Sequence, residues 1–237
     1  MSQLQLPLDQ QTSGPVDIAP GAVWVPGWLD AQAQGELVSA FHEWAAPPAG
    51  LRRPRMPNGA PFSTLAVCLG WHWYPYRYSR TCDDGDGAPV KEFPDLLAKL
   101  GVAACAAAGF EPVAFDAAIV NLYEPAAKLG LHQDKIEGSE VVGAGSPVVT
   151  ISLGDGCIFR FGNTERPSRP YKDIHLASGD LFVFGGPSRL AFHGVPRIFG
   201  GSADPSLGLD GRVSVTLRQI GKTWHADTRT RATDGDR

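Results

Sequence analysis

His132 and Asp134, two residues apart, with His193 far downstream, form the chemically most suggestive set in the chain. Two imidazoles and one carboxylate suit a divalent iron: they occupy one face of an octahedron and leave three positions open for a cosubstrate and oxygen. On an extended backbone, residues two apart project from the same face, so His132 and Asp134 can share one ion. The spacing alone is a weak signal, because His225 and Asp227 repeat it in a polar stretch with no histidine after them. His132 differs in having His193 and paired arginines behind it in strand-like segments. His175 is a rival ligand, but Ile174 and Leu176 beside it fit ordinary strand alternation.

A second pattern is Arg212, Ser214, Thr216 and Arg218 on one face of a strand, with Val213, Val215 and Leu217 on the other. A surface strand with two solvated arginines is the better explanation if the strand stands alone. An inward polar face requires anionic partners, because a buried guanidinium without one is costly. A dicarboxylate supplies them, and the guanidinium fork matches a carboxylate bidentately. Asn121 and Tyr123 share another strand face; they either bind a carboxylate or fill a sandwich strand.

The elements that hold these residues are legible in outline. The chain has 237 residues, enough for one large domain or two small ones. Its 28 glycines and 20 prolines describe a turn-rich chain, while 43% hydrophobic and 19% charged residues exclude a predominantly disordered one. Residues 1–17 read as a polar tail and 223–237 as another. A helix starts at Asp30, buries Leu37, Phe41 and Trp44, and stops at Pro47-Pro48. A second starts with Pro94 as first helical residue and runs through Leu96, Leu97 and Leu100. Residues 49–92 read as loop and hairpin. From Phe115 the period is two, giving five or more strands with no intervening helix, the pattern of an antiparallel sandwich or jelly roll.

Net charge of −4 argues against nucleic-acid binding by bulk electrostatics, so any such binding is local. The longest nearly apolar stretch, 100–110, is too short to span a bilayer. Cys68, Cys82, Cys105 and Cys157 lack CxxC pairing and read as free thiols in a reducing compartment, the cytoplasm. Gly221-Lys222-Thr223 lacks the rest of a phosphate loop, Gly143 and Gly145 lack a dinucleotide fold, and no G-x-S-x-G elbow occurs.

NLYEPAAKLGLHQDK, followed by SLGDGCIFRFG, SGDLFVFGGPSRLAFHG and RVSVTLRQ, resembles the AlkB family of iron(II)- and 2-oxoglutarate-dependent dioxygenases over residues 66–222. The resemblance implies an α+β, mainly β fold: a double-stranded β-helix (jelly roll) core with N-terminal helices and a hairpin/loop nucleotide-recognition lid. It divides a single domain, 18–222, into helix and lid (18–92) and helix and catalytic core (93–222). It implies iron held by His132, Asp134 and His193, and 2-oxoglutarate contacts from Asn121, Tyr123, Arg212, Ser214 and Arg218, with O2 as the other cosubstrate. The expected reaction is oxidative demethylation of N-alkylated bases in DNA, with RNA as a further substrate, coupled to 2-oxoglutarate decarboxylation and formaldehyde release.

On the substrate side, Trp71, Tyr76 and Tyr78 resemble the family's lid aromatics, where a flipped base stacks; they equally form a small lid core. Arg166 falls where the best-known bacterial member has a substrate-contacting arginine. Ile136 replaces an aspartate that contacts the base there, and isoleucine accepts no hydrogen bond. A shifted adduct preference is therefore expected. Two rival readings are a dioxygenase acting on a protein or small molecule, and a β module with a structural ion; structural zinc sites usually have four ligands, often cysteine. The arginines at 52, 53, 55, 77 and 80 form a phosphate track if they line one rim. No membrane association is expected, and a monomer suffices for one pocket per chain.

Overall fold

The structure, a computed structural model, describes residues 14–75 and 77–221. Thirteen strands and three α-helices are described, and the strands form two facing sheets and a hairpin. The N-terminal part comprises β1 (Val16–Ala19), β2 (Ala22–Val25), α1 (Ala31–Ala45), β3 (Leu65–Leu69), β4 (His72–Tyr74), β5 (Arg77–Ser79) and α2 (Asp95–Ala107). The core follows: β6 (Ala117–Tyr123), β7 (Leu129–His132), α3 (Ser139–Gly143), β8 (Val148–Gly154), β9 (Cys157–Gly162), β10 (Tyr171–Leu176), β11 (Leu181–Phe184), β12 (His193–Ile198) and β13 (Arg212–Arg218). The large sheet runs β1-β2-β11-β8-β13-β6-β3 and the small one β10-β9-β12-β7; β4 and β5 pair by themselves. All named strand pairs are antiparallel, the jelly-roll arrangement.

Two apolar layers follow from alternation. On one face of the large sheet, Val213, Val215 and Leu217 of β13 and Val149, Ile151 and Leu153 of β8 pack against Leu37, Phe41 and Trp44 of α1 and Leu97 and Leu100 of α2. Between the sheets, Phe159 and Phe161 meet Phe182 and Phe184 at ring separations of 4.8 to 5.5 Å. Asp30 caps α1, accepting from the Ala33 amide at 2.8 Å.

Four features differ from the sequence reading. Val16 and Asp17, read as tail, open β1, and β1 and β2 extend the large sheet; strands of four residues are too short for a period of two to stand out. β3 belongs to the large sheet rather than to the lid. Pro94 is the N-cap of α2, one position before its first helical residue. The five-residue α3 interrupts the run of strands. The C-terminal stretch, with His225 and Asp227, lies outside the described residues.

Gly70 joins β3 to the hairpin with φ of +75°, and a Cβ there would lie 2.0 Å from the Asp116 carbonyl oxygen. That oxygen is backbone and has nowhere to move. Gly70→Ala is expected to destabilise the protein by more than about 2 kcal/mol, lowering Tm by roughly 4 °C or more, as thermal melts will read.

Candidate active site

His132 ends β7 and His193 begins β12, and the two are directly cross-strand partners. Opposed residues of an antiparallel pair project to the same face, and their ring centroids stand 4.4 Å apart. Each ring is turned by its own backbone: Nδ1 of His132 contacts the Gly130 carbonyl at 2.9 Å and Nδ1 of His193 the Ala191 carbonyl at 3.0 Å. A carbonyl only accepts, so Nδ1 carries the proton in both rings and each Nε2 keeps a free lone pair. Asp134 lies just beyond the strand, and its carboxylate sits 3.8 Å from Nε2 of His132 and 3.7 Å from Nε2 of His193. These separations are too long for hydrogen bonds, yet the three donor atoms lie within 4.8 Å of one another.

Asp134 is fixed from two directions. Arg218 Nη2 donates to its Oδ1 at 2.6 Å, and Arg189 Nη1 donates to its backbone carbonyl at 2.5 Å. Both guanidinium groups also reach Glu137, Arg189 at 3.3 Å and Arg218 at 3.4 Å, and Tyr78 donates its hydroxyl to Glu137 at 2.8 Å. Burial, the largest single effect, favours the neutral acid, but Arg218, His193, His132 and Arg189 together outweigh it and hold the Asp134 carboxyl well below the usual range. The Oδ2 atom of Asp134 is buried without a hydrogen-bond partner. Burial, reinforced by the neighbouring His132, lowers the pKa of His193 to about 4, which keeps its imidazole neutral and ready to ligate.

β13 turns its polar side into the space between the sheets. Arg212 is 1% exposed, donates to the Ser152 hydroxyl at 3.0 Å, and lies over the Tyr123 ring at 5.0 Å. Its Nε and Nη1 have no partner. Register places Tyr123 opposite Arg212, and Asn121 and Ser152 opposite Ser214, so these side chains share one interior face. Burial raises the Tyr123 phenol to about 12, so it is neutral at working pH.

A family model described as the 2OG-Fe(II) oxygenase superfamily matches residues 21–218. An alpha-ketoglutarate-dependent dioxygenase AlkB homolog of Caulobacter vibrioides is 37% identical over 220 residues, covering 89% of this chain and 92% of that one. The chain belongs to the 2OG-Fe(II) oxygenase superfamily, in its AlkB family. The Arabidopsis thaliana DNA N(6)-methyladenine demethylase ALKBH1D is 31% identical, over 86% of this chain and 50% of that protein. The solved structure of OsALKBH1 superposes with a TM-score of 0.80 at 31% identity, over 86% of this chain and 99% of that chain. The protein is thus an Fe(II)/2-oxoglutarate-dependent dioxygenase.

The donor set fits the AlkB metal. Two unprotonated Nε2 atoms and an unpartnered carboxylate oxygen suit an ion that needs one open face. Arg212 fits the far carboxylate of 2-oxoglutarate on its own chemistry: a buried cation with unused donors and, among the described residues, no ion pair. Bound iron supplies the means of activating oxygen; the protein's residues orient the ligands, hold the cosubstrate and keep water out.

A cavity of about 340 Å³ opens onto this centre, lined by His132, Asp134, Asn121, Ile136 and Arg218 and walled by Met56, Phe62, Trp73 and Leu131. The lid aromatics divide differently from the sequence expectation. Trp71, 3% exposed, packs with Ala117 and Ile220 beneath the stacked Arg80 guanidinium, 3.5 Å from its ring. Tyr78 is buried and its hydroxyl is committed to Glu137 and Arg218. Trp73, in edge-to-face contact with Phe62 at 6.0 Å, is the tryptophan lining this cavity. Tyr76 lies outside the described residues. Ile136 does face the cavity, whereas Arg166 is exposed on the loop after β9 and is not among its lining.

The five arginines do not make a continuous track. Arg52 is buried against Asp84 and Arg80 covers Trp71. Arg53 and Arg77 pair with Glu124 and Asp83, each at 2.8 Å. Arg189, Glu137, Ser152 and Trp73 are the site residues that sequence reasoning missed; the only signal was a charged Arg189 inside the otherwise apolar run before His193.

Two outcomes are expected. Because each charge-assisted hydrogen bond contributes about 1.5 to 3 kcal/mol, Arg212→Lys, which loses the fork, should raise the KM for 2-oxoglutarate by roughly tenfold to a hundredfold while the far-UV spectrum stays native. Succinate formation against 2-oxoglutarate concentration checks it. The metal-free protein should also lose stability as pH falls. Folded His193 takes its proton near 4 and the unfolded chain near 6.5, so the unfolded state binds more protons between those values. Thermal melts of chelator-treated protein should decline across that window, and His193→Gln should flatten the decline.

Proposed function

We propose that this dioxygenase removes N-alkyl groups from bases of nucleic acid, DNA first and RNA as a further substrate, with succinate and formaldehyde as products. The observation that carries the reading is the cavity itself: apolar and aromatic walls that end on His132 and Asp134. Such walls accept the planar face of an extruded base, and stacking offsets part of the unstacking cost. The alkyl carbon of a base seated there points to the open side of the metal ligands. Names of relatives, DNA demethylase among them, support the same substrate class. Ile136 offers the base a methyl surface where a carboxylate would offer an acceptor, which favours adducts whose edge needs no hydrogen bond at that point.

A monomer is the proposed working unit, since one pocket per chain suffices for the reaction. None of the described helices is long and apolar enough to cross a membrane. The four cysteines are free, which supports a reducing compartment, the cytoplasm.

The test is a product assay with Fe(II), ascorbate and 2-oxoglutarate on oligonucleotides carrying 1-methyladenine, 3-methylcytosine or N6-methyladenine, with His132→Ala as blank. Formaldehyde matching succinate on at least one oligonucleotide, absent in the blank, is the expected result. Succinate without formaldehyde on every oligonucleotide sinks the reading and moves the search to proteins or small molecules. In the same assay Ile136→Asp should change the ranking of the adducts; an unchanged ranking removes Ile136 from base selection.

A further inference from the structure

We infer that the lid carries a second metal site, for a zinc-like divalent ion, formed by His72, Cys82 and Asp84. Their donor atoms, an imidazole nitrogen, a sulfur and a carboxylate oxygen, lie within 4.8 Å of one another. That is the mixed nitrogen, sulfur and oxygen set a borderline-soft divalent ion takes. It is separate from the iron centre, whose three ligands include no sulfur.

The site is built rather than incidental. His72 and Cys82 are 1% and 2% exposed. His72 comes from β4, while Cys82 and Asp84 come from the turn after β5, which is closed by Cys82 N donating to the Ala88 carbonyl at 2.8 Å. The amides of Gly85 and Gly87 both donate to the Cys82 carbonyl at 3.0 Å. A Cβ on Gly85 would lie 2.5 Å from the Cys82 sulfur, so any larger residue there would displace the thiol.

Asp84 supplies the independent sign of a missing partner. Its Oδ1 is shared by Arg52 Nε at 2.5 Å and His72 Nε2 at 2.7 Å, while its Oδ2 is buried with no hydrogen bond at all. A buried carboxylate oxygen left unpaired is costly, and a cation between it, His72 and Cys82 removes that deficit. His72 is held in place by its own hydrogen bond to Asp84, Nε2 to Oδ1 at 2.7 Å, beside the Cys68 thiol. Cys68 in turn accepts from the Trp73 amide at 3.4 Å.

Binding exchanges protons for the ion: the Cys82 thiol proton and the proton that His72 Nε2 shares with Asp84 leave to solvent. The thiolate adds a negative charge beside the Asp84 carboxylate, which Arg52 already partners. The bound ion ties β4 to the turn after β5. Since Trp73 follows His72 directly, the same clamp fixes the cavity wall.

The experiment uses the full chain, stripped with a chelator and titrated with Co(II). The iron centre offers no thiolate, so a sulfur-to-cobalt charge-transfer absorption in the near ultraviolet reports the lid site alone. We expect that band in wild-type protein and in His132→Ala, and its loss in Cys82→Ser and Asp84→Asn. Absence of the band in both wild type and His132→Ala overturns the proposal without any lid variant, as does a band that survives Cys82→Ser. As a second readout, Zn(II) should raise the Tm of His132→Ala, and the rise should vanish in His132→Ala combined with Asp84→Asn; an equal rise in both overturns it.

Discussion

The buried pairing of Arg218 with Asp134, at 2.6 Å and with 9% and 3% of the two side chains exposed, is the constraint on which the site depends. Asp134 lies beyond the end of its strand, where the ladder no longer fixes it, and an unpaired carboxylate at that depth would tend to protonate. Arg218 keeps it ionised and aimed. Arg218 is itself neutralised from a second side by Glu137, which also holds Arg189. Two arginines and two carboxylates close a charge-balanced ring behind the metal ligands. Removing one member would leave another buried and uncompensated, a change that typically costs about 3 to 5 kcal/mol.

That ring explains why the polar face of β13 turns inward. A surface strand would leave Arg212 and Arg218 hydrated, yet α1 and α2 cover the valines and leucine of β13, and the opposite face meets the small sheet. Arg218 finds its anions within the protein; Arg212 makes no ion pair among the described residues, and its chemistry fits a carboxylate from outside. Ser152, Asn121 and Tyr123 surround it through register alone.

The lid joins this system through side chains that look like substrate contacts in the sequence. Tyr78 reaches down from β5 into the Glu137 and Arg218 ring, and Trp71, beneath Arg80, packs against Ala117 and Ile220 and so ties the hairpin to the core. Trp73 is left to face the cavity. Trp71 and Trp73 are two apart and Tyr78 is the cross-strand partner of Trp73, so alternation alone does not separate the three, and only the docking of the hairpin decides which of them meets the cavity.

Much was legible beforehand because short-range physics fixes it. Alternation in 212–218, the Asp30 cap and the two-residue step from His132 to Asp134 are local facts, and the order of these motifs carried the family. The small strands β1 and β2 escaped, since four residues offer too little periodicity and are stabilised only by the sheet they join. Sequence also left open whether Asn121 and Tyr123 were site or filler. What the tertiary structure alone decided was encounter: His132 opposite His193, Glu137 under Tyr78, Arg189 on the Asp134 carbonyl, and His72 beside Cys82 and Asp84. The first three join residues more than fifty positions apart, and the last spans the turn after the hairpin; chain connectivity constrains such meetings only through the complete fold.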